Sequence, residues 1–226
     1  MKKLNKSLIV GISLFVAFAL FTILVKVVDV SAVGPLGSKV GFSCLNDAVF
    51  DAFGKSDVWY HITEALGIVA LLVAAGFAVF GLVQIIKRKS LKLVDNNIFL
   101  LGIFYVVLAL FYLLFEVVVI NKRPILVEGE LEASFPSSHT MLTVFIMGSA
   151  MIQFRKLFAE KKKLVITLDV LSIIIVAVTV IGRLLSGMHW LTDIIAGLLL
   201  SLALVFIYHG VLKLIETRKL KDNQKA

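Results

Sequence analysis

The stretch from residue 97 to residue 120, NIFLLGIFYVVLALFYLLFEVVVI, contains one charged side chain, Glu116. About 20 apolar helical residues are enough to cross the roughly 30 Å hydrocarbon layer of a bilayer. Five other stretches are also long and apolar enough: Ser7–Val28, Val58–Ile86, Ser138–Phe154, Leu164–Ile181 and Leu191–Leu212. With Asn97–Ile120 they predict an all-α fold, a polytopic membrane protein with six transmembrane helices.

The composition of the whole chain indicates the same class. Apolar residues (AVILMFWYC) make up 60% of the 226 residues and charged residues 17%. A soluble domain has about 45–50% apolar residues even with glycine included, and about 25% charged residues. One soluble core could not bury so much apolar surface, and the single cysteine, Cys44, cannot form an intramolecular disulfide. A soluble enzyme, a disordered chain and a disulfide scaffold are therefore excluded.

The basic residues are concentrated in alternate loops. One side of the predicted membrane layer carries Lys2, Lys3, Lys6, Lys87, Arg88, Lys89, Lys92, Arg155, Lys156, Lys161, Lys162, Lys163, Lys213, Arg218, Lys219, Lys221 and Lys225. The other side carries Lys39, Lys55, Lys122, Arg123 and Arg183. Because positive loops stay in the cytoplasm, both termini are predicted to be cytoplasmic. The net charge of +8 then needs only membrane lipids as its partner, and no nucleic acid.

The predicted organisation is one membrane-embedded domain over residues 1–226, with the candidate motifs at about residues 116–193. The longest loop, Asp29–Asp57, lies on the predicted outer side and contains helix-breaking glycines and Pro35. Within it, Ser43–Phe53 places apolar residues at helical spacing, which predicts a short helix in the membrane interface. The pattern leaves open whether this helix takes part in substrate binding or is an ordered lid without a substrate role.

Two short segments on the predicted outer side collect polar residues that could act together. The first contains Lys122-Arg123-Pro124 and, further along, Pro136-Ser137-Ser138-His139. The second contains Gly182-Arg183, His189 and Asp193. On a helix, His189 and Asp193 would share one face, so that the carboxylate could hold one imidazole nitrogen protonated and leave the other free. An arginine nearby would supply a forked donor for phosphate oxygens.

These residues resemble the three-part signature of the type-2 phosphatidic acid phosphatases, a superfamily shared with the vanadium haloperoxidases. The signature reads K-x6-R-P, then P-S-G-H, then S-R-x5-H-x3-D. The chain matches it in order and spacing but has Glu116 in place of the Lys, Ser138 in place of the Gly, and Gly182 in place of the Ser. The six-span layout also resembles the integral-membrane branch of the family, and its bacterial undecaprenyl-diphosphatases and phosphatidylglycerophosphatases in particular.

The resemblance implies a phosphatase that works through a phosphohistidine. His189 would be the nucleophile and Asp193 would orient it, while His139 would protonate the leaving group and then activate water. Phosphate would be bound by Arg123, Arg183, Ser137 and Ser138. Neither a metal nor another cofactor is implied.

Glu116 leaves the phosphate pocket one cation short of the family pattern. Either the two arginines suffice, or Lys122 or Lys26 supplies the missing charge. The alternative is that Lys26 and Glu116 form an ion pair at the outer end of their helices, which would lower the cost of placing charge in the membrane. The ion pair is the hypothesis that we favour from the sequence.

A site at headgroup level predicts a lipid phosphate as the substrate. Polyprenyl diphosphates, phosphatidic acid and phosphatidylglycerol phosphate all fit, and the site would face outward from a bacterial plasma membrane. A lipid phosphotransferase with the same intermediate is one alternative, and a non-catalytic lipid-binding or channel protein is another. The sequence does not indicate the oligomeric state.

Overall fold

The structure, a computed structural model, describes residues 5–223. They form seven α-helices: α1 (Lys6–Val27), α2 (Ser43–Phe53), α3 (Asp57–Arg88), α4 (Asn96–Val117), α5 (Ser138–Leu157), α6 (Lys162–Leu185) and α7 (Leu191–Asn223). Over this range there is no β-strand, only isolated β-bridges in the loops, so the all-α prediction is confirmed. Lys2, Lys3 and Lys225, which contribute to the predicted charge asymmetry, lie outside the described residues.

Five of the helices have the length and apolarity of membrane spans: α1, α3, α4, α6 and α7. The protein is therefore a multi-pass membrane protein. The predicted fourth span is helical as α5, but it does not reach the same apolarity. The sixth crossing and the cytoplasmic position of the termini stay predictions.

The position of α5 explains why it is less apolar than the others. It packs against α3, α6 and α7, and the polar side chains of Ser149 and Gln153 are fully buried in these contacts. Gln153 Oε1 accepts a hydrogen bond of 2.6 Å from Asn97 Nδ2 on α4. A helix surrounded by other helices is shielded from lipid, so it tolerates polar residues that find partners inside the bundle.

The helices end at other residues than the predicted spans. Helix α4 ends at Val117 instead of Ile120, and α7 continues well past Leu212 to Asn223. Helix α6 extends to Leu185, so that Arg183 lies in its last turn and not in an outer loop. The chain then turns at Gly187, whose φ of +67° is in the left-handed region that favours glycine.

Helices α1 and α7 approach each other closely. A Cβ atom on Gly11 would lie 2.8 Å from the backbone nitrogen of Ile207, and one on Gly210 would lie 2.9 Å from that of Leu8. Asn5 Nδ2 also donates a 2.7 Å hydrogen bond to the Gly210 carbonyl. Small residues at such contacts let two backbones meet, which is a common basis of helix packing in membranes.

The predicted short helix in the first outer loop is present as α2, with the predicted limits Ser43–Phe53. Its buried Asn46 accepts a 3.2 Å hydrogen bond from the Thr192 backbone N–H and donates one of 3.0 Å to Thr192 Oγ1. Asn46 therefore caps the start of α7 from a distant part of the chain. The loop is thus attached to the helix that carries Asp193.

Candidate active site

His189 lies in the turn between α6 and α7 and is almost fully buried. Its Nδ1 is 3.0 Å from the Ser134 carbonyl oxygen, and its Nε2 is 3.4 Å from Arg183 Nη2. A carbonyl can only accept, so Nδ1 carries the proton and Nε2 presents its lone pair. Burial lowers the pKa of His189 well below its usual value, and the charges of Arg183 and Arg123 lower it further. At neutral pH the ring is therefore neutral, as a nucleophile must be.

Asp193 approaches His189 without forming a direct hydrogen bond to it. Its Oδ2 is 3.8 Å from His189 Nδ1 and accepts a 2.9 Å hydrogen bond from the Trp190 backbone N–H. Its Oδ1 accepts one of 3.3 Å from Asn121 Nδ2. The prediction that the two residues share one helical face is wrong, because α7 begins at Leu191 and leaves His189 outside the helix. The carboxylate therefore acts on the ring through its charge, while the Ser134 carbonyl holds the tautomer.

Arg183 is fixed by groups from α3. Its side chain is 1% exposed, and its Nη1 is 3.0 Å from Glu64 Oε1 and 3.3 Å from Thr63 Oγ1. The guanidinium carbon also lies 5.9 Å from the centre of the Tyr60 ring, within the range of a cation–π contact. A buried arginine needs such partners. They direct its other nitrogen, Nη2, towards His189.

His139, in the first turn of α5, contacts the same carboxylate. Its Nε2 is 3.2 Å from Glu64 Oε1, while its buried Nδ1 has no hydrogen-bond partner among the described residues. The ring fits against α3 because residue 67 is glycine, where a Cβ atom would lie 2.8 Å from His139 Cδ2. Glu64 thus joins His139 to Arg183, and through Arg183 to His189.

An open cavity of about 310 Å³ lies beside this cluster and is lined by Arg123, Ser138, Glu116 and His189, among others. Arg123 Nη1 donates to the Met188 carbonyl at 3.4 Å, and its Nε is 3.0 Å from Glu132 Oε2. The cavity therefore brings one predicted phosphate-binding arginine, one serine and the predicted nucleophile together.

Ser137 has a different environment from Ser138. It is fully buried and is not one of the cavity-lining residues. Its side chain caps α5 by accepting a 3.5 Å hydrogen bond from the Thr140 N–H, and its own N–H donates to the Asp193 carbonyl at 3.0 Å. Its observed contacts thus join the starts of α5 and α7.

The two lysines considered as substitutes for the missing cation have other contacts. Lys122 Nζ donates to the Leu131 carbonyl at 3.1 Å, and Lys26 Nζ donates to the Val119 carbonyl at 3.3 Å. Neither lines the cavity. The favoured ion pair between Lys26 and Glu116 is wrong, because the lysine turns to a backbone carbonyl while the glutamate lies at the cavity.

Comparison with known proteins supports the resemblance seen in the motifs. Residues 117–215 match the family model of the PAP2 superfamily. The matched segment runs from the end of α4 into α7. A search of curated proteins found no match. The PAP2 segment contains every predicted site residue except Lys26.

The fold also matches a solved structure. The crystal structure described as the first transmembrane PAP2 type phosphatidylglycerolphosphate phosphatase from Bacillus subtilis superposes with a TM-score of 0.62. The match covers 91% of this chain and 96% of that one, at 18% sequence identity. At this identity the match concerns the fold.

One departure from the PAP2 signature has a packing reason. Gly182 occupies the position where the signature has serine, and a Cβ atom there would lie 2.6 Å from Thr63 Cγ2 and 2.9 Å from Trp59 Cε3. Such distances are too short for real Cβ contacts, so α6 can approach α3 this closely only with glycine at position 182. The close approach is what brings Arg183 to Glu64.

The sequence interpretation missed Glu64 and Asn121. Glu64 is an acidic residue within the apolar stretch Val58–Ile86. Because ionisable residues inside membrane helices usually mark functional sites, its position in the sequence could have indicated a role at the site. Asn121 holds Asp193, but nothing in its local sequence indicates that role. No group of three or more His, Cys, Asp or Glu residues suited to a metal ion occurs within residues 5–223.

Proposed function

We propose that this protein removes a terminal phosphate or diphosphate from a membrane lipid through a phosphohistidine on His189. The observation that carries the proposal is the contact of His189 Nε2 with Arg183 Nη2, at 3.4 Å, beside a cavity that Arg123 also lines. A neutral imidazole next to two guanidinium groups can attack phosphorus while the arginines neutralise the equatorial oxygens. The whole chain would act as one membrane-embedded catalytic domain.

In the first step, His189 Nε2 forms a bond to phosphorus as the bond from phosphorus to the lipid oxygen breaks. The ring becomes cationic. Its Nδ1–H continues to donate to the Ser134 carbonyl at 3.0 Å, and the Asp193 carboxylate is 3.8 Å away. His139 gives its proton to the departing lipid oxygen. The expected roles of Asp193 and His139 are therefore charge stabilisation and acid catalysis.

In the second step, His139 takes a proton from a water molecule that attacks the phosphohistidine. The phosphorus–nitrogen bond breaks, inorganic phosphate forms, and His189 returns to its neutral state. Arg123, Arg183 and Ser138 would bind the phosphoryl group in both steps, with the start of α5 providing backbone N–H donors. These groups supply the charge stabilisation without a metal or another cofactor.

The substrate is proposed to be a lipid because the site lies at one end of a bundle of membrane helices. Phosphatidic acid, phosphatidylglycerol phosphate and polyprenyl diphosphates each combine a terminal phosphate with an apolar tail. We propose further that the site faces outward from a bacterial plasma membrane, which follows from the charge asymmetry of the loops.

The test is phosphate release from these three lipids by protein purified in detergent, with and without EDTA. His189→Ala should lower kcat/KM by about a thousandfold or more, since removing a covalent nucleophile has effects of this size. His61→Ala, an exposed histidine on α3, is the control and should keep wild-type activity. EDTA should leave the rate unchanged.

Three results would contradict parts of this proposal. Appreciable turnover by His189→Ala would exclude His189 as the nucleophile. Loss of activity with EDTA that Mg²⁺ restores would exclude the metal-free mechanism. Transfer of phosphate to a lipid hydroxyl without release of free phosphate would identify a phosphotransferase.

A further inference from the structure

A second polar cavity opens between α5 and α7, far from the candidate active site. It has a volume of about 490 Å³ and is lined by Ile152, Arg155, Lys156, His209, Leu212, Lys213 and Glu216. We refer to these seven residues as the basic groove. None of them belongs to the signature or to the cavity beside His189.

The groove and the active-site cluster lie at opposite ends of the same helix pair. Along α5, Arg155 follows His139 by 16 residues, about 24 Å of helix at 1.5 Å per residue. Along α7, Lys213 follows Asp193 by 20 residues, about 30 Å. The separation is close to the thickness of a hydrocarbon layer, so the groove lies at the other membrane surface.

The charges of the groove are only partly balanced. Arg155 donates from Nε and Nη2 to Asp169 Oδ2 of α6, at 2.9 and 2.8 Å, and its side chain is still 59% exposed. Lys156 forms an ion pair with Glu216. Lys213 is exposed, and no carboxylate of the described side chains lies within ion-pair distance of it. Three cations thus face two carboxylates, which leaves an excess of positive charge around an open space.

Apolar side chains adjoin the cations on the side nearer the middle of the helices. Ile152 precedes Arg155 by one turn, and the buried Leu212 adjoins Lys213. A ligand in the groove would therefore meet cations at the membrane surface and apolar groups deeper in the layer. A phospholipid headgroup has this order of groups, with its phosphate outside its glycerol and acyl chains.

We propose that the basic groove binds the phosphate headgroup of an anionic phospholipid from the leaflet opposite the active site. Lys213 and Arg155 contact the phosphate, and Ile152 and Leu212 contact the start of the acyl chains. Basic pockets between transmembrane helices bind anionic headgroups in this way. The proposal does not depend on the catalytic activity, because the groove shares no residue with the active site.

The test is native mass spectrometry of the full-length protein in detergent, titrated with phosphatidylglycerol or phosphatidylcholine of identical acyl chains. Wild-type protein should retain phosphatidylglycerol more strongly than phosphatidylcholine. Lys213→Gln should weaken this retention about fivefold, the contribution of one basic residue near an anionic headgroup. Lys213 is the best position to change, since its removal leaves no carboxylate without its ion-pair partner.

The matched control is Lys162→Gln, which removes the same charge at the start of α6 but outside the groove. It should change retention less than twofold. Equal losses in the two variants would overturn the proposal, because general surface charge would then explain the binding. Equal retention of the two lipids would also overturn it, as would complete displacement of the lipid by millimolar inorganic phosphate.

Discussion

Glu64 is the residue through which α3 acts on both His139 and Arg183, at 3.2 and 3.0 Å. We regard it as a positioning residue, because its carboxylate orients the His139 ring and stabilises its charged form. The structure therefore places a carboxylate near each of the two histidines that we propose to be catalytic: Glu64 for His139 and Asp193 for His189. The arrangement predicts that Glu64 affects the acid step more than the attack on phosphorus.

Glu64→Gln should lower kcat about tenfold for an alkyl phosphate, whose leaving group needs a proton, since acid catalysis contributes about 10²–10⁴-fold in enzymes. It should lower kcat much less for p-nitrophenyl phosphate, whose leaving group needs none. The measurement is kcat for both substrates, with His139→Ala as the reference for complete loss of the acid. Equal losses on both substrates would mean that Glu64 has only a structural role.

The depressed pKa of His189 predicts how stability depends on pH. Burial keeps the folded-state pKa well below 6.5, so the unfolded chain binds a proton as the pH falls through 6.5 and the folded chain does not. The contribution of His189 to the free energy of unfolding is therefore fully present above pH 6.5. It decreases below that pH, by about 1.4 kcal/mol for each pH unit, until the folded-state pKa is reached. Thermal unfolding at pH 7.5 and 5.5 measures this, and His189→Asn should show a smaller decrease. An equal decrease in both proteins would contradict the prediction.

At the scale of helices, Gly67 of α3 determines how closely α5 can approach. A Cβ atom on Gly67 would lie 2.8 Å from His139 Cδ2 and 3.2 Å from Nε2, whereas one on Gly76 has no atom within 4 Å. The two positions lie in the same helix but differ in what they face. They offer a matched pair of Gly→Ala substitutions.

Gly67→Ala should displace the His139 ring from Glu64 and lower kcat/KM about tenfold, with little loss of stability because the side chain can move. Gly76→Ala should keep full activity and be as stable as the wild type or more so, since alanine in a helix interior is favoured by about 0.5–1 kcal/mol. Enzyme assays and thermal unfolding of both variants are the measurement. Full activity of Gly67→Ala would contradict the close approach of α5 to α3.

At the scale of the whole molecule, the single cysteine tests the predicted topology. Cys44 is exposed at the start of α2, in the loop that the charge asymmetry places outside. A membrane-impermeant maleimide should therefore label the wild-type protein in intact cells. A variant that combines Cys44→Ser with Lys92→Cys, on the predicted inner side, should be labelled only after the cells are opened. The reverse pattern would invert the topology and place the active site in the cytoplasm.

The sequence by itself determined the helical class, the membrane location and most of the residues assembled at the site. Apolar length and motif spacing are properties of neighbouring residues, so they are readable without a structure. The buried α5 could also be recognised as a helix. Its reduced apolarity became understandable only when α3, α6 and α7 were seen to surround it.

Only the tertiary structure decided which side chains meet across helices. Glu64 is 119 residues from Arg183, and Asn46 is 146 residues from Thr192. The sequence paired Lys26 with Glu116 from their similar depth, but the structure directs the lysine to the Val119 carbonyl. The physical reason is that a helix that is apolar all round does not indicate which face turns inward. Helix rotation is determined by packing, such as that of Gly67 against His139 and of Gly182 against Thr63.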